Sequence, residues 1–75
     1  MRDLFRPSPL GRRVKKFRQM RGWSQDFLAE EAQLKYGYIS LLECGRIQDI
    51  TLNKAVRLAK ALRIPLSMLA GEREG

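Results

Sequence analysis

The spacing of apolar residues predicts two short helices in the middle of the chain. In residues 24–44, apolar side chains recur every three to four positions, with one interruption near Leu34. This pattern predicts a helix over Gln25–Ala32 and another from about Tyr36 to Glu43. Neither is long enough to be stable alone, so their apolar faces must pack on each other and on their neighbours. The residues expected at that contact are Leu28, Ala29, Ala32, Leu34, Ile39 and Leu42.

A preceding helix is indicated by a narrower apolar stripe. Leu10, Val14 and Phe17 recur at helical spacing, and basic residues surround them. Ser8 is a candidate N-cap, and the proline that follows it suits the first helical position because no needed donor is lost. Residues 1–8 have no clear period and are interpreted as an N-terminal arm.

Two more helices are predicted towards the C-terminus. Thr51 is a candidate N-cap for the fourth helix, and the fifth starts at Ile64-Pro65. No strand pattern is present, so we expect an all-α fold, a compact bundle of five short helices over residues 9–71 with a frayed tail at 72–75. The apolar face of the fourth helix is expected to contain Leu52, Ala55, Val56, Leu58, Ala59 and Leu62.

Composition excludes several classes of function. A chain of 75 residues is one domain. Its single cysteine, Cys44, excludes an internal disulfide, and without histidine neither a zinc site nor any other metal or cofactor is expected. There is no paired-carboxylate site and no glycine-rich phosphate loop, so we do not expect an enzyme. No apolar run approaches the ~20 residues of a membrane span, which predicts a cytoplasmic protein.

The net charge of +7 is concentrated at one end of the chain. Residues 1–22 contain eight basic residues and one acidic residue, whereas residues 23–75 contain seven of each. This asymmetry indicates a polyanionic partner, either nucleic acid or an anionic membrane surface. A solvated basic helix face is the plain alternative. The apolar stripe of the first helix is too narrow to favour the membrane and is better explained as core.

Three blocks of sequence, in this order, carry a family resemblance: RQMRGWSQDFLA, YISLLECGR and LAKALRIPLSML. Over about Arg12 to Leu69 the chain resembles the lambda Cro and phage-repressor (Xre-like) helix-turn-helix family. The resemblance implies a lambda-repressor-like DNA-binding domain with the helix-turn-helix at helices 2 and 3, its core at about 24–43. It also implies binding to double-stranded DNA with the third helix in the major groove.

The resemblance also implies which residues read the DNA bases. Lys35 and Tyr36 can donate hydrogen bonds to base edges or phosphates, and Leu41 can pack on thymine methyl groups. Alternatively, Leu41 is a scattered surface residue or part of a protein interface. The implied recognition-helix positions are Lys35, Tyr36, Gly37, Ser40 and Leu41.

A second set of residues is implied or favoured as contacts to DNA phosphates. Gln25 opens the second helix, where free N–H groups and the helix dipole favour an anion; the alternative is an ordinary exposed polar residue in a first helical turn. Arg46 and Gln48 lie in the loop that follows the DNA backbone in the family. Tyr38 either packs its ring on the body or offers its hydroxyl. Arg13 and Arg21 are further candidates for phosphate contacts on the basis of their charge alone.

The family pattern is kept at one pair of positions and altered at three others. The resemblance pairs Arg18 and Glu43 as a largely buried structural ion pair. Gln33 stands where glycine is usual in the turn, so its backbone must adopt a positive φ or alter the turn. Gly37 is predicted inside the recognition helix, weakening it by up to ~1 kcal/mol. It either lets the DNA approach closely or marks weak or non-specific recognition. Phe27 occupies an expected exposed position and can mark a partner surface.

A DNA-binding domain this small normally gains affinity by forming a symmetric dimer that spans two half-sites. Leu66 and Met68 are the expected dimer surface, and Phe5 is a second candidate. We therefore expect a sequence-specific transcriptional regulator, most simply a repressor acting as a homodimer on a palindromic operator. The alternative is an antitoxin or adaptor whose fold mainly binds a protein partner, through exposed residues such as Phe27, Leu41 and Cys44.

Overall fold

The computed structural model describes residues 9–47 and 49–70, and this part of the chain folds into five helices without a strand. The predicted all-α fold is therefore confirmed. The predicted arm and tail, together with Gly71 and Gln48, lie outside the described residues. The helices are α1 (Pro9–Met20), α2 (Gln25–Ala32), α3 (Tyr38–Glu43), α4 (Leu52–Leu62) and α5 (Leu66–Ala70).

One apolar core joins all five helices. Its large aliphatic side chains are fully buried, each contributing about 1.5–3 kcal/mol relative to exposure. Leu52 was expected on this face, but it is 71% exposed. The buried residues of α4 are Leu58, Ala59 and Leu62, so only the second half of the helix reaches the core, while Ala55 and Val56 are half-buried. The core consists of Val14, Leu28, Ala29, Ala32, Ile39, Leu42, Leu58, Ala59, Leu62 and Leu69.

Side-chain caps fix the starts of α2 and α4, as the sequence predicts. The Ser24 hydroxyl accepts a hydrogen bond from the Phe27 backbone N–H at 3.0 Å, and the Thr51 hydroxyl accepts one from the Lys54 backbone N–H at 3.2 Å. These bonds satisfy donors that the helices leave free at their N-termini. The two caps therefore set where each helix begins.

The ends of α2 and α4 are both left-handed without glycine. Gln33 has a φ of 59° and Arg63 a φ of 60°. In this conformation the Gln33 N–H reaches back to carbonyls of the last turn of α2. Arg57 donates from Nη1 to the Gln33 carbonyl at 3.0 Å. The turn thus takes the positive-φ solution that the sequence left open.

The start of α3 differs from the prediction. The helix begins at Tyr38, not at Tyr36, and Gly37 is its N-cap with a φ of 82°. Glycine adopts this backbone conformation readily, whereas a side chain would strain it. The predicted placement of Gly37 inside the helix is therefore wrong, and no interior helix penalty applies to it.

A glycine also allows α1 and α3 to approach closely. A Cβ atom placed on Gly11 would overlap the carbonyl oxygen of Leu42, and it would crowd the Glu43 backbone. Both neighbours are backbone atoms, which cannot rotate away as a flexible side chain can. The identity of Gly11 therefore sets the separation between α1 and the C-terminal half of α3.

Candidate nucleic-acid interface

The N-terminal end of α3 presents an exposed surface. Tyr36 is 74% exposed and Leu41 is 44% exposed. The Leu41 N–H donates to the Gly37 carbonyl at 3.1 Å, so Leu41 lies one helical turn above a residue without a side chain. The apolar side chain of Leu41 is consequently not covered from that side. All five sequence-predicted recognition residues are exposed: Lys35, Tyr36, Gly37, Ser40 and Leu41.

The C-terminal end of α3 is held by an ion pair with α1. Arg18 Nε donates to Glu43 Oε2 at 2.7 Å, and Arg18 Nη2 donates to Glu43 Oε1 at 2.9 Å. The two residues are only 9% and 8% exposed. The hydrogen bond to Glu43 raises the pKa of Arg18 from its ordinary value, and this effect outweighs the opposing desolvation. The geometry is the two-point arrangement that binds a carboxylate most firmly.

Gln25 joins this pair from the start of α2. Its Nε2 atom donates to Glu43 Oε1 at 3.0 Å, and the residue is half-buried. Arg18 also donates from Nη1 to the Trp23 carbonyl at 2.8 Å, just before the Ser24 cap. Sequence reasoning paired Arg18 with Glu43 but missed Gln25 as a third member. Nothing in the spacing of the residues could have revealed it, because the contact depends on how α2 crosses α3.

The arginines proposed for phosphates differ in their surroundings. Arg46 is exposed in the loop after α3. Arg21 is also exposed, but its Nε donates to the Leu62 carbonyl at 3.0 Å and its guanidinium lies 5.2 Å from the centre of the Trp23 ring. Arg13 is half-buried on α1. Arg46 is thus the most accessible of the three.

Tyr38 packs its ring on the core and remains half-buried. The ammonium of Lys54 lies 4.9 Å from the ring centre, close enough for a cation–π contact. Burial raises the pKa of the Tyr38 hydroxyl, so this group is a neutral donor at physiological pH. The ring packing that the sequence left open is therefore present.

The residues expected at partner surfaces differ in how exposed they are. Leu66 is half-buried and packs against the core, whereas Met68 is 45% exposed. Phe5 lies outside the described residues. Phe27 is 42% exposed and meets Trp23 edge-on, with ring centres 4.9 Å apart. Met68 and Phe27 are thus the most accessible of these residues.

Comparison with known families then decides the assignment. The family model described as Helix-turn-helix matches residues 14–69, which include all of α2, α3 and α4. The chain belongs to the Cro- and Xre-like helix-turn-helix family of DNA-binding transcriptional regulators. Within it, α2 and α3 form the helix-turn-helix, and the Gln33–Gly37 segment is its turn. No curated protein matches the chain significantly.

Solved structures of helix-turn-helix proteins have the same fold. The restriction-modification controller protein C.AhdI from Aeromonas hydrophila is 31% identical, with a TM-score of 0.76 over 81% of this chain and 91% of that one. A hypothetical transcription factor from Neisseria, NHTF, is 31% identical, with a TM-score of 0.79 over 91% of this chain and 80% of that one.

SinR, described as the master regulator for biofilm formation, provides a third comparison, and its structure is a complex with DNA. It is 24% identical, with a TM-score of 0.78 over 81% of this chain and 97% of that one, a likeness of fold. Among the described residues of this helix-turn-helix protein, no helix is long and apolar enough to cross a membrane. The same residues include no cluster of three or more acidic or cysteine side chains able to hold a metal ion.

Proposed function

We propose that this helix-turn-helix protein is a repressor that binds a palindromic operator as a homodimer and acts in the cytoplasm. The observation that carries the proposal is the exposed surface at the N-terminal end of α3. It combines donors, an uncovered apolar side chain and a glycine in a protein of net charge +7. A promoter covered by such a dimer is unavailable for transcription, which is the simplest mode of repression for one small domain.

The residues at this surface have complementary roles in the proposed complex. Lys35 and Tyr36 donate hydrogen bonds to base edges or phosphates, and Ser40 adds a hydroxyl. Leu41 packs on a thymine methyl group. Gly37 lets the start of α3 approach the bases closely, because nothing projects from it.

Phosphate contacts on both sides of α3 orient it in the groove. Gln25 and the free N–H groups of α2 bind a phosphate at one side, and Arg46 binds one at the other. Arg21 keeps donors available beyond its bond to Leu62, because a guanidinium carries five. The remaining proposed phosphate contacts are Arg13, Tyr38 and Gln48.

Dimerisation is proposed through the C-terminal helix. Met68 is an exposed apolar residue of α5, Leu66 is half-buried at the start of the same helix, and Phe5 is the second candidate. A symmetric dimer doubles the number of DNA contacts that one small domain can make. It requires half-sites about 34 Å apart, one turn of DNA. Met68→Asp should therefore weaken operator binding by lowering dimer affinity, and sedimentation of the free protein and of the complex measures this.

Selection of duplexes from a random pool, followed by footprinting, tests the operator. The expected result is an enriched inverted repeat with half-sites about one helical turn apart, occupied by two chains. An enriched site without symmetry, or one chain per duplex at tens of micromolar protein, would contradict the homodimer.

Salt dependence tests the phosphate contacts. The logarithm of affinity should fall linearly with the logarithm of salt concentration, with a slope of about −0.9 per phosphate neutralised. Arg46→Ala should reduce the slope by about one. Lys60→Ala, which removes the same charge from an exposed position on α4, is the matched control and should leave the slope unchanged. Affinity independent of salt would overturn the phosphate assignments.

A protein-binding role, as an antitoxin or adaptor, is the second candidate. The observation that favours it is the exposed Phe27 ring beside Trp23, which DNA contacts do not require. If selection enriches no duplex and affinity for random DNA stays weak, this role is favoured over the repressor. Phe27→Ser should leave operator binding unchanged under the repressor proposal.

A further inference from the structure

The contact between Gln25 and Glu43 links the two parts of the proposed DNA interface. We propose that Glu43 is a positioning residue for the phosphate contact of Gln25. It orients the Gln25 amide towards the DNA backbone and so fixes that contact relative to the recognition helix. The inference rests on the phosphate role given to Gln25 in the proposed function, and it assigns Glu43 a role beyond stabilising the fold.

Hydrogen-bond chemistry determines which atom of Gln25 faces Glu43. An ionised carboxylate only accepts, so the Gln25 atom 3.0 Å from Glu43 Oε1 must be the amide nitrogen. Phosphate oxygens also only accept, so the same nitrogen must serve the DNA. A primary amide has two N–H groups. Glu43 therefore occupies one of them and leaves the other for a phosphate.

Glu43 can hold this orientation because its own carboxylate is fixed. Arg18 engages both carboxylate oxygens, at 2.7 and 2.9 Å, and the pair is buried. Oε1 accepts from Arg18 and from Gln25 together. Arg18 also holds the Trp23 carbonyl at 2.8 Å, which fixes the chain just before α2 begins. The start of α2 is consequently held through both its backbone and its first side chain.

The two ends of this contact belong to the two helices of the DNA-binding motif. Gln25 is the first residue of α2, and Glu43 is the last residue of α3. A bond between them sets the distance from the phosphate contact to the base-reading surface. Preorganised contacts of this kind raise affinity because less freedom is lost on binding. Loss of the bond should therefore weaken DNA binding even in a protein that remains folded.

A double-mutant cycle tests the proposal with Gln25→Ala, Glu43→Asp and the double variant. Glu43→Asp keeps the charge opposite Arg18 but shortens the reach towards Gln25 by one methylene. Affinity is measured by fluorescence anisotropy on the tightest duplex from the selection, with each variant shown to be folded by circular dichroism. Each single change should weaken binding about tenfold, and the double variant should be about as weak as either single. Losses that multiply in the double variant would overturn the proposal.

A matched cycle separates this inference from the proposed function. Arg46→Ala combined with Glu43→Asp should give multiplied losses, because among the described residues no hydrogen bond or ion pair joins the Arg46 side chain to Glu43. If Gln25→Ala alone leaves affinity unchanged, the phosphate role of Gln25 fails, and the inference fails with it. If Gln25→Ala weakens binding but the first cycle is multiplicative, only the inference fails.

Nuclear magnetic resonance of the free wild-type protein gives a test that needs no folded Glu43 variant. One Gln25 side-chain amide proton should be shifted and protected from exchange, and the other should exchange freely with water. Two side-chain protons with the shifts and exchange rates of a solvent-exposed glutamine would mean that Glu43 does not orient the amide, and would overturn the proposal.

Discussion

The two ends of α3 are built in opposite ways. Its C-terminal end is fixed by the buried ion pair with Arg18, by Gln25 and by the close contact with Gly11. Its N-terminal end begins at Gly37 without a side-chain cap, next to the 74% exposed Tyr36. One end of a six-residue helix is therefore anchored in the domain, and the other is free to meet a partner.

This contrast explains how so short a helix can be held in place and still expose a surface for the proposed recognition of DNA. Six residues cannot sustain a helix in water, so its stability must come from tertiary contacts. Those contacts are concentrated at Ile39, Leu42 and Glu43, which leaves Ser40 and Leu41 exposed. Substitutions of buried side chains at the fixed end should therefore affect folding, whereas substitutions of the exposed side chains of Ser40 and Leu41 should mainly affect binding.

The largest expected effect is at Glu43. Glu43→Ala strands the buried guanidinium of Arg18 and should lower the free energy of unfolding by about 3–5 kcal/mol. Urea denaturation followed by circular dichroism measures the change. Glu30→Ala, at an exposed position of α2, is the control and should change stability by less than about 0.5 kcal/mol. A loss below about 1 kcal/mol for Glu43→Ala would show that the pair behaves as an exposed one.

Gly11→Ala should have the next largest effect and lower the free energy of unfolding by about 1–3 kcal/mol. The new methyl group must displace the backbone of Leu42, and the gain in helix propensity offsets only part of that cost. Gln19→Ala on the exposed side of α1 provides the comparison for the same denaturation experiment. Equal stability of the two variants would mean that α1 and α3 are not in close contact.

Gly37→Ala tests the free end of α3. A Cβ at Gly37 meets nothing within 4 Å, so the substitution causes no steric clash. Alanine in the left-handed conformation should still lower the free energy of unfolding by about 1–2 kcal/mol. The neutral reference is Ser40→Ala, inside the same helix. If Gly37→Ala is as stable as wild type, the helix begins before Gly37, as the sequence alone predicts.

The smallest expected effect is a gain in stability from Gln33→Gly. Gln33→Gly places the residue that tolerates a positive φ at the end of α2, and keeps the carbonyl that accepts from Arg57. Relief of backbone strain exceeds the added flexibility of the unfolded chain, so stability should rise by up to about 1 kcal/mol. A lower urea midpoint than wild type would contradict this reading of the turn.

The apolar pattern was sufficient to predict most of the fold. The spacing of Leu28, Ala32, Ile39 and Leu42 placed the helix-turn-helix, and Ser24 and Thr51 marked helix starts by their capping chemistry. Periodicity depends only on which face of a helix is buried, so it survives without knowledge of the tertiary structure. The exposed Leu52 shows its limit, because the pattern does not say where the core ends.

Details that depend on backbone conformation or on side-chain reach were not predictable. The sequence does not tell an interior helical glycine from a left-handed cap, and Gly37 was therefore misplaced. The third member of the ion-pair cluster, Gln25, depends on the angle at which α2 crosses α3. The residues proposed to contact DNA remain predictions, to be tested by selection and by salt dependence.

The single tryptophan of the chain, Trp23, lies at the junction between α1 and α2. Trp23 lies with its ring edge-on to Phe27, beneath the guanidinium of Arg21, and its carbonyl is held by Arg18. Its indole emission therefore comes from one known environment and should shift when that junction opens. The protein contains its own optical probe, placed beside the start of α2, and needs no dye for stopped-flow work.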